Sequence, residues 1–184
     1  MWKNYNRFYT QIIRSEVGSV YLCKNINQIP SIKKVSLTCV SDNWSSIKNV
    51  LMTLSALQLI VNRKAKLITS KVSIALMKIR KGQPLGAKVF ITSGACLQFL
   101  HFFIFNLMPR LDLTQLISYS KESKDFKLFL RSSSIFSVLQ PFFNFFQFLP
   151  SIQVVFTLKR PSDVKKIFFW RFLKLPVSYL RKSS

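Results

Sequence analysis

Acidic side chains are scarce in this sequence: six Asp and Glu stand against 28 Lys and Arg in 184 residues, a formal charge of +22. Between Asp42 and Asp112 there is no carboxylate at all, while ten Lys and Arg fall in the same stretch. One histidine and a few scattered acids leave no pair for general acid–base work, so an enzyme is not expected. His101 stands among phenylalanines and reads as a core or partner contact. Glycine is nearly as rare, four in all, which excludes a phosphate-cradling glycine loop or a nucleophile elbow. The three cysteines, Cys23, Cys39 and Cys96, are odd in number, widely spaced and in no CxxC arrangement. They exclude a disulfide framework and a zinc-ligand pair, and read as small core hydrophobes in a reducing compartment. No metal and no cofactor are expected. The first residues lack the apolar run of a secretory signal.

What the chain does have is apolar mass, 49% of its residues, including 18 Phe. That suffices for one globular domain over residues 1–184. A second basic stretch, Lys159 to Lys182, sets eight Lys and Arg against Asp163 alone. Self-repulsion on this scale is tolerable where counter-charge is always present, and RNA phosphate is the source expected here. Codon bias in an A+T-rich genome raises Phe, Lys and Asn together, but does not remove carboxylates. A membrane reading rests on Ile135 to Leu158, which holds no charged residue and is long enough to span a bilayer. Pro141, Pro150, Gln140, Asn144, Gln147 and Gln153 interrupt that run, so a membrane partner is not favoured. Within it, the five phenylalanines from Phe142 to Phe148 make residues 135–150 a contact segment with more rings than one face can hide.

Hydrophobic spacing predicts the elements. In an N-terminal segment, 1–20, Tyr5, Phe8, Ile12 and Ile13 share one side of a basic amphipathic helix. A transit peptide is the rival reading there, opposed by Glu16 and the absence of Ser enrichment. Ile32–Val40 alternates as a strand, with Val35, Leu37 and Cys39 inward and Lys34, Ser36 and Thr38 outward. A helical stripe follows at Ile47, Val50, Leu51, Leu54, Leu57 and Val61. After a strand at Ala87–Thr92, Ser93 caps a helix carrying Cys96, Phe99, Leu100, Phe103 and Leu107, apolar nearly all round and stopped by Pro109. Phe126–Leu130 and Ile152–Lys159 read as strands. Ser162-Asp163 caps a last helix with Val164, Ile167, Phe168 and Phe172. The sum is an α+β domain: an antiparallel sheet packed on helices, its other face carrying basic, hydroxyl and aromatic side chains, as an RNA platform does.

The most informative stretch is Lys71–Lys88, with five cations, no acid and two of the four glycines. It reads as a long basic finger between two strands, with Gly82-Gln-Pro-Leu-Gly86 as the turn at its tip.

The order of these motifs resembles the bacterial-type large-subunit ribosomal protein L5 family. Asn27-Gln-Ile-Pro-Ser-Ile-Lys-Lys-Val-Ser-Leu-Thr38 is similar to that family's entry into its first strand, and Leu67-Ile-Thr69 to its Leu-Ile-Thr. Lys78, Ile79, Arg80, Gly82, Pro84, Gly86 and Lys88 match its Lys-Ile-Arg-x-Gly-x-Pro-x-Gly-x-Lys, and Pro109-Arg110, Ser162-Asp163 and Leu175-Pro176 match further points. The resemblance implies a place in the central protuberance and 5S rRNA on the open sheet face. It further implies contact with the small-subunit head, and a finger, Lys78, Ile79, Arg80, Lys81, Gly82, Gln83 and Pro84, reaching the peptidyl-site tRNA. Neighbouring ribosomal proteins are the remaining partners. The candidate RNA-binding residues are Lys33, Lys34, Thr38, Arg63, Lys64, Lys66, Thr69, Lys71, Lys88 and Phe90. Here the sequence departs from the family, whose Asn, Gln and Thr are replaced by Thr38, Lys64 and Phe90, and whose Gly-Asn-Tyr reads Lys124-Asp-Phe126. Base-reading groups have given way to a charge and a ring, while backbone-binding charge remains. This divergence implies a mitochondrial version, acting in the matrix, with 5S rRNA as partner if that ribosome has one and another large-subunit rRNA segment if not.

Overall fold

A computed structural model describes residues 7–20, 25, 28–29, 31–41, 46–92, 94–111, 125–131, 135–159 and 173. Its five strands are β1 (Ser31–Val40), β2 (Lys66–Thr69), β3 (Pro84–Thr92), β4 (Asp125–Leu130) and β5 (Ile152–Lys159). They form one antiparallel sheet in the order β2-β3-β1-β5-β4. Among the described residues four helices accompany it: α1 (Arg14–Val20), α2 (Ile47–Val61), α3 (Gly94–Phe102) and the single turn α4 (Phe143–Phe146). The α+β expectation holds. The period-two reading holds as well: Val35, Leu37 and Cys39, then Ile152, Val154, Phe156 and Leu158 are all buried, and Phe126, Leu128 and Leu130, read only as part of a strand, are buried too. One outward assignment fails, because Ser36 is buried too. It lies on β1, the central strand of the five, which has a neighbouring strand on each side.

The chain divides into two compact units. The first comprises residues 1–35, 92–128 and 155–184. In it a π-helical turn, Tyr9–Ile13, runs into α1. The buried stripe is Tyr9, Ile13 and Val17, while Phe8 and Ile12 are exposed. That corrects the predicted apolar side: the wider i→i+5 turn favours a stripe spaced by four. Tyr5 lies outside the described residues. Burial pushes the Tyr9 phenol up to about 12, against the opposing pull of the Arg14 charge and a backbone hydrogen bond with Ile32.

The expected helix from Gly94 ends as α3, a π turn at Phe103–Leu107 and a 3-10 turn at Met108–Arg110 that contains Pro109. Cys96, Phe99, Leu100, Phe103 and Leu107 are buried as predicted, but the segment is not buried on several sides. Phe105 is exposed, with the half-buried His101 ring 4.7 Å from it. Phe156 of β5 gathers the rings of this unit: Phe103 meets it edge-on at 5.3 Å, Phe126 at 6.0 Å and Phe99 at 6.3 Å. Ser93 and the predicted helix at residues 162–172 lie outside the described residues.

The second unit comprises residues 36–91 and 129–154. Here α2 buries Val50, Thr53, Ala56 and Leu57. Of the predicted stripe, Ile47 and Leu51 are instead exposed, and Leu54 and Val61 half-buried. Thr53 and Ala56 explain the shift, since small side chains let a helix approach its support closely. The Thr53 hydroxyl donates to the Val50 carbonyl at 2.7 Å, so its burial leaves no polar atom unpaired. Asn62, left-handed at φ +54°, ends α2 with its N–H on the Gln58 carbonyl.

The Phe-rich segment folds as short turns, with α4 set against α2. Phe136, Leu139, Phe146 and Leu149 are buried, whereas Phe142, Phe143, Phe145 and Phe148 are exposed, as its ring density required. Among the described residues no helix is long and apolar enough to cross a membrane.

Candidate nucleic-acid interface

The β2–β3 hairpin carries most of the predicted site. Lys66 stands opposite Lys88, Leu67 opposite Ala87 and Ile68 opposite Gly86, after which the register slips so that Thr69 faces Pro84. Beyond the strands the chain keeps pairing. Ser70 donates its N–H to the Gln83 carbonyl and accepts from the Gly82 N–H, both at 2.9 Å. Arg80 to Gln83 make a turn: the Gln83 N–H reaches the Arg80 carbonyl at 3.1 Å, and the Gln83 side-chain oxygen accepts the Arg80 N–H at 3.0 Å. Gly82, at φ +84°, supplies the third residue that a type II turn requires. Further out, Ile74 and Ile79 exchange two backbone hydrogen bonds, at 3.0 and 3.1 Å, around a 3-10 turn over Ala75–Met77. Lys78 closes that turn in the left-handed region at φ +54°.

The tip is therefore Ala75–Lys78, which corrects the predicted tip at Gly82–Gly86. Gly82 and Gln83 form the base of the loop, and Pro84 to Gly86 already belong to β3. Gly86 is needed for a different reason. A Cβ there would run into the backbone carbonyl of Cys39 and lie 2.8 Å from the Val40 Cα, beside the bond from the Ser41 N–H to the Leu85 carbonyl. The absent side chain lets the backbones of neighbouring β3 and β1 approach closely.

Most of the predicted site residues are accessible. Arg63, Lys64, Lys66, Thr69, Lys71, Lys78, Arg80, Lys81 and Gly82 are exposed, and Thr38, Gln83, Pro84 and Lys88 half-buried. Ile79 is the exception: it is buried, so it holds the loop together and does not face a ligand. Lys33, exposed, and Lys34, half-buried, belong to the other unit. Lys88 and Phe90 are two apart on β3 and share a face, with the Lys88 Nζ 4.9 Å from the Phe90 ring centroid. That contact holds the ammonium of Lys88 beside an exposed ring. Like charges directly opposite, such as Lys66 and Lys88, destabilise a strand pair unless an anion bridges them. The sequence of this unit offers nine Lys and Arg between Ser36 and Ile91, and Arg131 beyond them, against Asp42 alone.

Two features escaped the sequence reading. Gln58 and Asn62 join Arg63 and Lys64 around an open depression of about 320 Å³ at the end of α2, two amides beside two cations. Asn before two cations, closing an apolar helical run, was the available signal. The second is the apolar character of the loop tip, where Leu76 is 98% exposed. Among the described residues no group of His, Cys, Asp and Glu is placed to hold a metal ion.

No family model matches the chain. Among curated proteins it is similar to the large ribosomal subunit protein uL5 of Lawsonia intracellularis, 32% identical over 106 residues, 56% of this chain and 59% of the relative. It is similar as well to uL5 of Francisella tularensis subsp. novicida, 35% identical over 100 residues, 54% of each chain. The uL5m protein of Reclinomonas americana is 31% identical over 106 residues, 57% of this chain and 58% of the relative. The chain thus spans between half and two thirds of the length of these curated relatives.

Proposed function

We propose that this chain, an L5-family ribosomal protein, is a non-catalytic structural constituent of the large ribosomal subunit that holds rRNA through its β2–β3 hairpin and the end of α2. The observation that carries the reading is the exposed hairpin surface of Lys66, Lys71, Lys78, Arg80 and Lys81, in a unit whose sequence holds one acid. Such a surface binds phosphate without reading sequence, and the cation-bearing ring of Phe90 adds a stacking face. In this reading residues 1–184 act as one ribosomal-protein domain in the central protuberance. Lys78, Arg80, Lys81 and Gly82 meet the peptidyl-site tRNA, and neighbouring ribosomal proteins and the small-subunit head complete the contacts. The rRNA is 5S where present and another large-subunit segment otherwise. The mitochondrial matrix is the proposed location, supported by the uL5m relative, whereas the other two relatives named above are bacterial proteins.

Cosedimentation with the large subunit after a high-salt wash tests the assignment: retention supports it, and release into a lipid fraction without ribosomes overturns it. The surface has its own test. Lys64→Ala and Lys88→Ala should each flatten the salt dependence of RNA binding by about one counterion. Slopes equal to the parent's would remove both residues from the interface. Replacing Lys78, Arg80 and Lys81 together by Gln should leave subunit assembly intact and weaken tRNA retention in the peptidyl site.

A further inference from the structure

The outermost residues of the hairpin are not its cations. Leu76 is 98% exposed, Val72 66% and Met77 54%, while Lys71, Lys78, Arg80 and Lys81 flank them. Leu76 therefore holds its whole side chain in water at the end of the projection. The geometry is set in the folded chain, because the paired hydrogen bonds of Ile74 and Ile79, the 3-10 turn and left-handed Lys78 fix the tip before any ligand arrives. Buried Ile79 anchors it from within. A preformed apolar point ringed by positive charge selects a ligand of matching form: a flat apolar surface ringed by negative charge.

We infer that the tip formed by Leu76 and Met77 caps an exposed face of a nucleobase in the bound RNA, while the flanking cations hold the phosphates around it. The inference rests on the reading of this hairpin as an RNA-binding element and adds the means by which it selects its place on the RNA. Phosphate runs along every part of an RNA, so charge alone brings the hairpin to the backbone without preference. Unstacked or terminal bases offer their faces only at loops and stack ends. An apolar tip consequently prefers those places, and does so for any base, since every base has such a face. A protein partner with an acidic rim and an anionic lipid surface present the same two properties, and both are outcomes of the test.

The test uses the full chain, a transcribed tRNA as probe, and a plain RNA duplex closed at both ends by covalent linkers as a competitor without an accessible base face. Salt dependence separates the two contributions. Leu76→Asn is expected to weaken tRNA binding about five- to tenfold with no change in the salt slope, because no phosphate contact is lost. It should leave duplex binding unaltered. In a full chain with Trp2, Trp44 and Trp170 replaced by Phe, Leu76→Trp should retain tRNA affinity, its indole fluorescence quenched on binding by stacking. Lys78→Ala should flatten the slope for both RNAs. If Lys78→Ala acts and Leu76→Asn does not, the capping inference fails while the hairpin remains an RNA element. If neither acts, the hairpin reading itself fails. Unquenched Leu76→Trp on bound tRNA overturns the inference, as does Leu76→Trp fluorescence that responds to phosphatidylserine-containing vesicles and not to tRNA. An effect of Leu76→Asn seen only on assembled subunits, with free tRNA binding unaltered, assigns the tip to a protein neighbour and equally overturns it.

Discussion

At Gly86 one added methyl would meet the backbone of Cys39 and Val40, which no rotamer change can relieve. Gly86→Ala should therefore cost about 1–3 kcal/mol, the range of overpacking, measured as a fall in urea midpoint at constant m-value. Gly82→Ala has open space around it and carries only the penalty of its positive φ, about 1 kcal/mol. The order of the two effects distinguishes a close approach of backbones from a turn. Tyr9 supplies a pH prediction. Its folded phenol ionises near 12 and an unfolded one near 10, so the folded state keeps its proton longer. The stability tied to this group is whole below pH ~10 and is lost as pH climbs through about 12, by roughly 2–3 kcal/mol in all. Tyr9→Phe should flatten that alkaline decline relative to the parent, as read by denaturation between pH 9 and 12.

Strands β1 and β5 were legible in the sequence because apolar residues recur there at every second position. The inward residues of β1 and β5 are buried where that period places them, whereas in β4 the exposed Phe129 between Leu128 and Leu130 weakened the signal. Phe156, at the centre of the aromatic cluster, should show this in energy: Phe156→Ala is expected to cost about 3–5 kcal/mol by thermal or urea unfolding, and Phe156→Leu far less. The helices were less legible. With so many large apolar residues in the chain, several stripes fit each helix, and the small ones decided, as Thr53 and Ala56 did in α2. The finger was misread at its tip for a related reason. Glycine and proline mark turns in most sequences, whereas here Gly86 serves a close approach of β3 to β1 and a mutual pair of isoleucines makes the bend. The cations of the site were visible from composition. Its apolar point was not, since nothing in the sequence distinguishes an exposed leucine from the buried isoleucine three residues on.

The whole chain carries a charge of +22, and the folded state concentrates that charge more than the unfolded one. Screening should stabilise it: the melting temperature is expected to rise between about 0.05 and 0.5 M salt, where the Debye length falls from roughly 14 to 4 Å, and to rise at far lower concentrations of polyphosphate. A melting temperature indifferent to both would show that the cations are spaced too widely to repel. The buried thiols offer a way to follow such changes from within. Cys39 is wholly enclosed in the second unit, its Sγ 3.6 Å from the Pro150 carbonyl, and Cys96 is enclosed in the first. Neither sulfur meets a solvent-borne disulfide reagent until its own surroundings open. With Cys23 replaced by Ser, the two rates of disulfide exchange become a pair of clocks, one for each unit. Equal rates across a denaturant series mean that the chain opens as a single cooperative body. Diverging rates name the half that loosens first, and adding RNA should then slow the clock of the half that grips it.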